Sequence, residues 1–167
     1  MAKNDTAPVT GSGADTNLGA GTPIRLSQRA VIIRIARLFL GVPYKWGGYD
    51  WHGYDCSGLV IDCLQTVGLL PPRGDWTAAR LARMFEPVSE KELKLGDLVF
   101  YGRGRVTHIM IYSGGGEVIG ARGGNSKTNT VAEARRRGAE VSTRPLHYRP
   151  DLLRCANVLR PTWTASA

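Results

Sequence analysis

The segment Tyr54-Asp55-Cys56-Ser57-Gly58-Leu59-Val60 puts a cysteine at the start of an apolar run with helical spacing. A thiol attacks as its thiolate, and the positive end of a helix dipole lowers its pKa. Asp55 carries the side chain of a helix N-cap, able to hold that first turn in place. Gly58 keeps the turn free of bulk, so backbone N–H groups could approach a developing oxyanion. Downstream, Val106-Thr107-His108-Ile109-Met110-Ile111-Tyr112 alternates like a half-buried strand, with His108 on the face of Val106, Met110 and Tyr112. A helix-borne cysteine as nucleophile and a strand-borne imidazole as general base are the minimum equipment for covalent acyl transfer. His52 is nearer in sequence but sits in a turn-rich loop, and His147 lies in a Pro-flanked segment near the end. His108 is therefore the preferred base.

Other chemistries lack their patterns. The three histidines and three cysteines show no paired ligand spacing, so neither a metal nor a cofactor is expected. Three cysteines cannot all pair within one chain, and Cys63 and Cys155 read as small core residues. The glycines at 113–116 and 123–124 read as turns rather than phosphate cradles. A net charge of +8 suits attraction to a polyanion, such as an acidic membrane surface or a wall polymer. No nucleic-acid motif accompanies it, so no nucleic-acid partner is expected. No apolar stretch approaches the length of a membrane span. Residues 1–23 contain no apolar core of a signal peptide, so synthesis is expected to be cytoplasmic.

The elements that must position Cys56 and His108 follow from capping and period. Ser27 predicts a helix to about Leu40, ended by Gly41 and Pro43. Residues 43–53 form a turn-rich loop loaded with aromatics, leading directly into Asp55-Cys56. A second helix is expected over Ser57–Val67 with Gly68 just past its end, and a third over about Thr77–Phe85. The period then becomes strand-like over Asp97–Tyr101, Val106–Tyr112, Glu117–Ala121, Glu140–Pro145 and Cys155–Leu159, with a loop and short helix within 123–138. Helices followed by an antiparallel sheet of about five strands make an α+β domain. Residues 1–23 read as a flexible arm, 24–162 as the domain and 163–167 as a tail.

Four segments in order carry a family resemblance. Pro43-Tyr44-Lys45-Trp46-Gly47-Gly48, Asp55-Cys56-Ser57-Gly58-Leu59-Val60, Leu95-Gly96-Asp97-Leu98-Val99-Phe100 and His108-Ile109-Met110-Ile111-Tyr112 resemble the successive signatures of the NlpC family of papain-like cell-wall cysteine peptidases. The resemblance implies a papain-like fold and hydrolysis of bacterial peptidoglycan stem peptides, at the bond between γ-D-glutamate and a diamino acid. It implies Cys56 as nucleophile and His108 as base. It also implies that Tyr44, Asp55 and Ser57 hold the polar end of an L-Ala-γ-D-Glu moiety. One position departs from the family pattern: the third polar residue, on the strand after the base, is here Gly120. Asn125, another side chain, a backbone carbonyl or water could stand in for it. An amidase or acyltransferase on the same fold, or a wall-binding component with a decayed site, are the alternatives. With no export signal or wall-binding module, the expected route to the wall is a phage-like particle, docked through the arm, or release by lysis.

Overall fold

A computed structural model describes residues 27–163. The expected arm at 1–23 and all of the tail except Trp163 lie outside the described residues. Helix α1, Gln28–Leu38, starts at its predicted cap, where the Ser27 hydroxyl accepts from the Ala30 N–H at 3.3 Å. Its apolar stripe buries Ile32, Ile33 and Ala36. The aromatic loop that follows holds a two-residue hairpin, β1 (Tyr49–Asp50) and β2 (Gly53–Tyr54). Helix α2, Cys56–Thr66, is capped by Asp55, and Gly68 follows it in the left-handed conformation (φ 74°).

Helix α3 covers Ala78–Met84, and the chain then turns extended at once as β3, Phe85–Val88. The sequence reading runs the helix through Phe85 and has no strand here. Pro87 tolerates the strand because β3 lies at the edge of the sheet, where a missing N–H disturbs no second neighbour. The remaining strands are β4 (Leu98–Tyr101), β5 (His108–Gly114), β6 (Glu117–Arg122), β7 (Glu140–Pro145) and β8 (Leu152–Pro161), with α4 (Val131–Arg137) between β6 and β7. They form a six-stranded sheet in the order β3-β8-β4-β5-β6-β7, antiparallel at every pairing, rather than the five strands expected. Trp163 is not tail: its ring packs edge-on to Phe85, 5.2 Å between centroids.

The alternation of β4 and β5 divides the core. Leu98, Phe100, Ile109 and Ile111 face the helices and pack with Leu59, Val60, Cys63 and Leu64 of α2. Val99, Tyr101 and Met110 face the other way, into a smaller cluster with Val118, Leu146 and Cys155. Cys63 and Cys155 are free and buried, as a core reading requires. The start of β4 is anchored by a polar hub. Asp97, 1% exposed, accepts from the Arg29 guanidinium of α1 (2.6 Å) and from the backbone of Lys94 (2.8 Å) and Val158 (3.1 Å). Arg29 also donates to Leu95 O and Asn157 Oδ1, so α1, β4 and β8 are tied at one point. A buried carboxylate needs such compensation. This fixes the sheet against which α2 presents its N-terminus.

Candidate active site

The head of α2 is pinned by one carboxylate. Asp55 Oδ1 accepts from the Ser57 N–H (2.9 Å), the Gly58 N–H (2.8 Å) and the Ser57 hydroxyl (2.9 Å). Oδ2 accepts from the Gly47 N–H at 3.0 Å, drawing the aromatic loop onto the helix. Gly58 lies beneath that loop: a Cβ there would sit 2.0 Å from the Gly48 carbonyl oxygen. The expected role for Gly58 is thus corrected. It makes room for backbone, and its N–H is engaged by Asp55 rather than free for an oxyanion. Leu59 N–H also bonds to the Asp55 carbonyl. Among the described residues, this leaves the N–H of Cys56 as the first-turn donor without an acceptor.

Cys56 and His108 line the same cleft, about 970 Å³ in volume. Burial, and then the neighbouring Asp55 charge, push the thiol up to about 11; the backbone N–H groups of Ile109 and the helix head pull the other way and lose. The dipole-lowered thiol of the sequence reading is corrected, because desolvation penalises an anion more than one helix terminus favours it. His108, 7% exposed, is pushed down to about 4 by burial and by the Arg149 charge, with Asp151 opposing. At neutral pH the resting pair is therefore thiol and neutral imidazole.

His108 stands at the first position of β5, directly opposite Tyr101 of β4, the two rings 5.9 Å apart. Its Nε2 is buried with no hydrogen-bond partner. Gly120 faces Met110 across the sheet on the same side as His108, and a Cβ there would meet the Met110 side chain at 3.1–3.4 Å. Methionine thus fills the space beside the glycine, and nothing polar takes its place. Asn125 does not substitute: its Oδ1 accepts from the Lys127 N–H (2.9 Å), closing its own loop. His52 is held at the tip of the hairpin by Asp50 and is exposed, and His147 pairs with Glu90 at the surface. Neither lines the cleft.

Tyr44, Asp55 and Ser57 line the same cleft as Cys56. Burial and the adjacent Cys56 and Asp55 raise the Tyr44 phenol above its ordinary value, so it stays protonated and able to donate. Its ring lies against Gly124, where a Cβ would fall 2.0 Å from the ring; no sequence signal linked these two loops. The sequence reading also missed Arg105, Arg122, Tyr148 and Arg149, which line the other side. Arg122 was detectable, since it alternates with Val118 and Gly120 on β6. Tyr148 and Arg149 lie in the turn between β7 and β8, and no pattern marks them. Among the described residues no group of His, Cys, Asp and Glu is placed to hold a metal ion, and no helix is long and apolar enough to cross a membrane.

The profile of the NlpC/P60 family matches residues 41–143, which include every cleft residue up to the start of β7 and neither Tyr148 nor Arg149. Peptidoglycan endopeptidase RipB of Mycobacterium tuberculosis is 33% identical over 158 residues, covering 84% of this chain and 64% of the relative. Gamma-D-glutamyl-L-lysine dipeptidyl-peptidase of Bacillus subtilis is 36% identical over 92 residues, covering 53% of this chain and 30% of the relative. This chain thus spans less than two thirds of either protein. The solved NlpC/p60 domain of the peptidoglycan hydrolase SagA superposes with a TM-score of 0.61 at 28% identity, covering 77% of this chain and 97% of that domain.

Proposed function

This chain belongs to the NlpC/P60 family, and we propose that it is a cysteine endopeptidase of bacterial peptidoglycan, cutting stem peptides between γ-D-glutamate and the diamino acid. The observation that carries the reading is the shared cleft: a thiol on a locked helix head and an imidazole on β5 open into one space. The names of the relatives support the substrate class, and that of the Bacillus relative supports the bond.

In this reading His108, neutral at working pH, takes the thiol proton as Cys56 Sγ attacks the γ-carbonyl. The oxyanion is met by the Cys56 N–H. Collapse of the tetrahedral species breaks the C–N bond, the imidazolium returns its proton to the leaving amine, and water later hydrolyses the thioester. Asp55, Tyr44 and Ser57 hold the L-Ala amine on the acyl side. Carboxylate and phenol oxygens can accept from that nitrogen, whether it is an amide N–H in the intact wall or an ammonium in a released stem peptide.

Purified sacculi incubated with the protein should release fragments whose masses end in γ-D-glutamate. Cys56→Ala should release none while its melting curve stays that of the wild type. Unchanged release by the mutant would refute the assignment. A second reading, a wall-binding domain with a decayed site, is favoured by the unpartnered His108 Nε2 and by Gly120. It predicts that wild type pellets with sacculi and releases nothing.

A further inference from the structure

The cleft is electrically two-sided. On the Cys56 side the charged group is Asp55. Three arginines, Arg105, Arg122 and Arg149, line the same cleft as His108. Continuing the register that sets Ile111 opposite Ile119 puts Arg122 opposite His108 on β6. On the other flank, Arg149 lies over the Tyr101 ring, 5.7 Å from its centroid, and acts on the imidazole strongly enough to lower its pKa. Arg105 extends from the β4–β5 loop, just ahead of His108 in the chain.

These cations are not equally neutralised. Arg149 is held in a bidentate pair with Asp151, Nε to Oδ1 at 2.8 Å and Nη2 to Oδ2 at 2.6 Å. Arg122 donates from Nε to the neutral Ser142 hydroxyl at 2.8 Å, and Glu140 stands opposite it on β7. Neither Arg122 nor Arg105 makes an ion pair among the described residues. The His108 side of the cleft therefore carries uncompensated positive charge facing a cavity.

The chemistry of the dyad says what meets that charge. The base returns its proton to the leaving amine, so the leaving half of the substrate must lie on the His108 side. We propose that Arg122 and Arg105, with Arg149 behind them, form a carboxylate-binding subsite for the side chain of the diamino acid. They would select a residue with a free side-chain carboxylate, as in diaminopimelate, over lysine, whose side chain ends in a bare ammonium. The subsite rests on the peptidase reading above. Guanidinium groups recognise carboxylates through paired, charge-assisted hydrogen bonds, and like charges across the same contact repel.

The test uses the full chain and three synthetic peptides, L-Ala-γ-D-Glu-X-D-Ala. X is meso-diaminopimelate, the same residue with its side-chain carboxylate amidated, or L-lysine. Wild type should show kcat/KM about 10- to 100-fold higher for the free acid than for the other two, the range for charge-assisted bonds. In Arg122→Gln and Arg105→Gln the preference should shrink, and in the double variant it should approach one while hydrolysis of the lysine peptide persists. Arg105 is exposed, so its variant keeps the test valid if Arg122→Gln loses stability. Equal wild-type rates on all three peptides would overturn the subsite and leave the peptidase reading standing. So would a preference that survives in the double variant. No hydrolysis of any peptide would overturn the peptidase reading, and the subsite with it.

Discussion

The two halves of the dyad are built to opposite standards. Four hydrogen bonds to Asp55 and a backbone carbonyl packed against Gly58 determine where Cys56 sits. His108 is placed by its strand and by burial alone: one ring nitrogen has no partner, and a pliable methionine fills the space beside Gly120. A thiol fixed by local backbone geometry tolerates little change. An imidazole fixed by packing leaves the protein room for change, with no neighbour holding its Nε2.

The same substitution at both ends should separate them most sharply. Gly58→Ala drives a methyl into the Gly48 carbonyl and should cost at least about 3 kcal/mol, more than alanine's better helix propensity returns. Gly120→Ala meets only the flexible Met110 side chain and should stay within about 1 kcal/mol. Denaturant unfolding of both variants measures the contrast, and similar midpoints would erase it.

The acid dependence of stability gives the next effect. The His108 pKa falls from 6.5 unfolded to about 4 folded, so the unfolded chain binds the extra proton between those values. This contribution is complete above pH 6.5 and is lost as pH falls towards 4, about 3 kcal/mol in all. His108→Gln should flatten the unfolding free energy over that window. A slope identical to wild type would show that the ring is not buried in its neutral form.

The smallest expected effect restores what the base lacks. Gly120→His should displace Met110 and offer Nε2 a partner, raising kcat on a stem peptide about tenfold, a gain in the range assigned to orienting groups. An unchanged kcat alongside a well-folded variant would mean that His108 needs no partner.

Much of this was legible beforehand because it is local. The Ser27 and Asp55 caps, the helix ends at Gly68 and the alternation of β5 depend on neighbours within a few residues, and they lie where the sequence put them. Gly120 too was found by its offset along a hairpin. Other elements depended on distant partners. β3 is a strand because β8 runs long enough to pair with it, and Phe85 could as well have closed a helix. Trp163 joined the domain because Phe85 was there to receive it.

The sequence by itself determined the family and the α+β architecture, and it singled out Cys56 and His108 as the candidate pair. Each follows from periodicity or from a motif read along the chain. The tertiary structure alone decided the protonation state of the dyad. A helix dipole is a local property and desolvation is not, so the thiol rises where the motif predicted a fall. It alone gathered arginines from two loops and a strand into one cleft with His108. Electrostatics depends on distance through space, which the order of residues does not reveal.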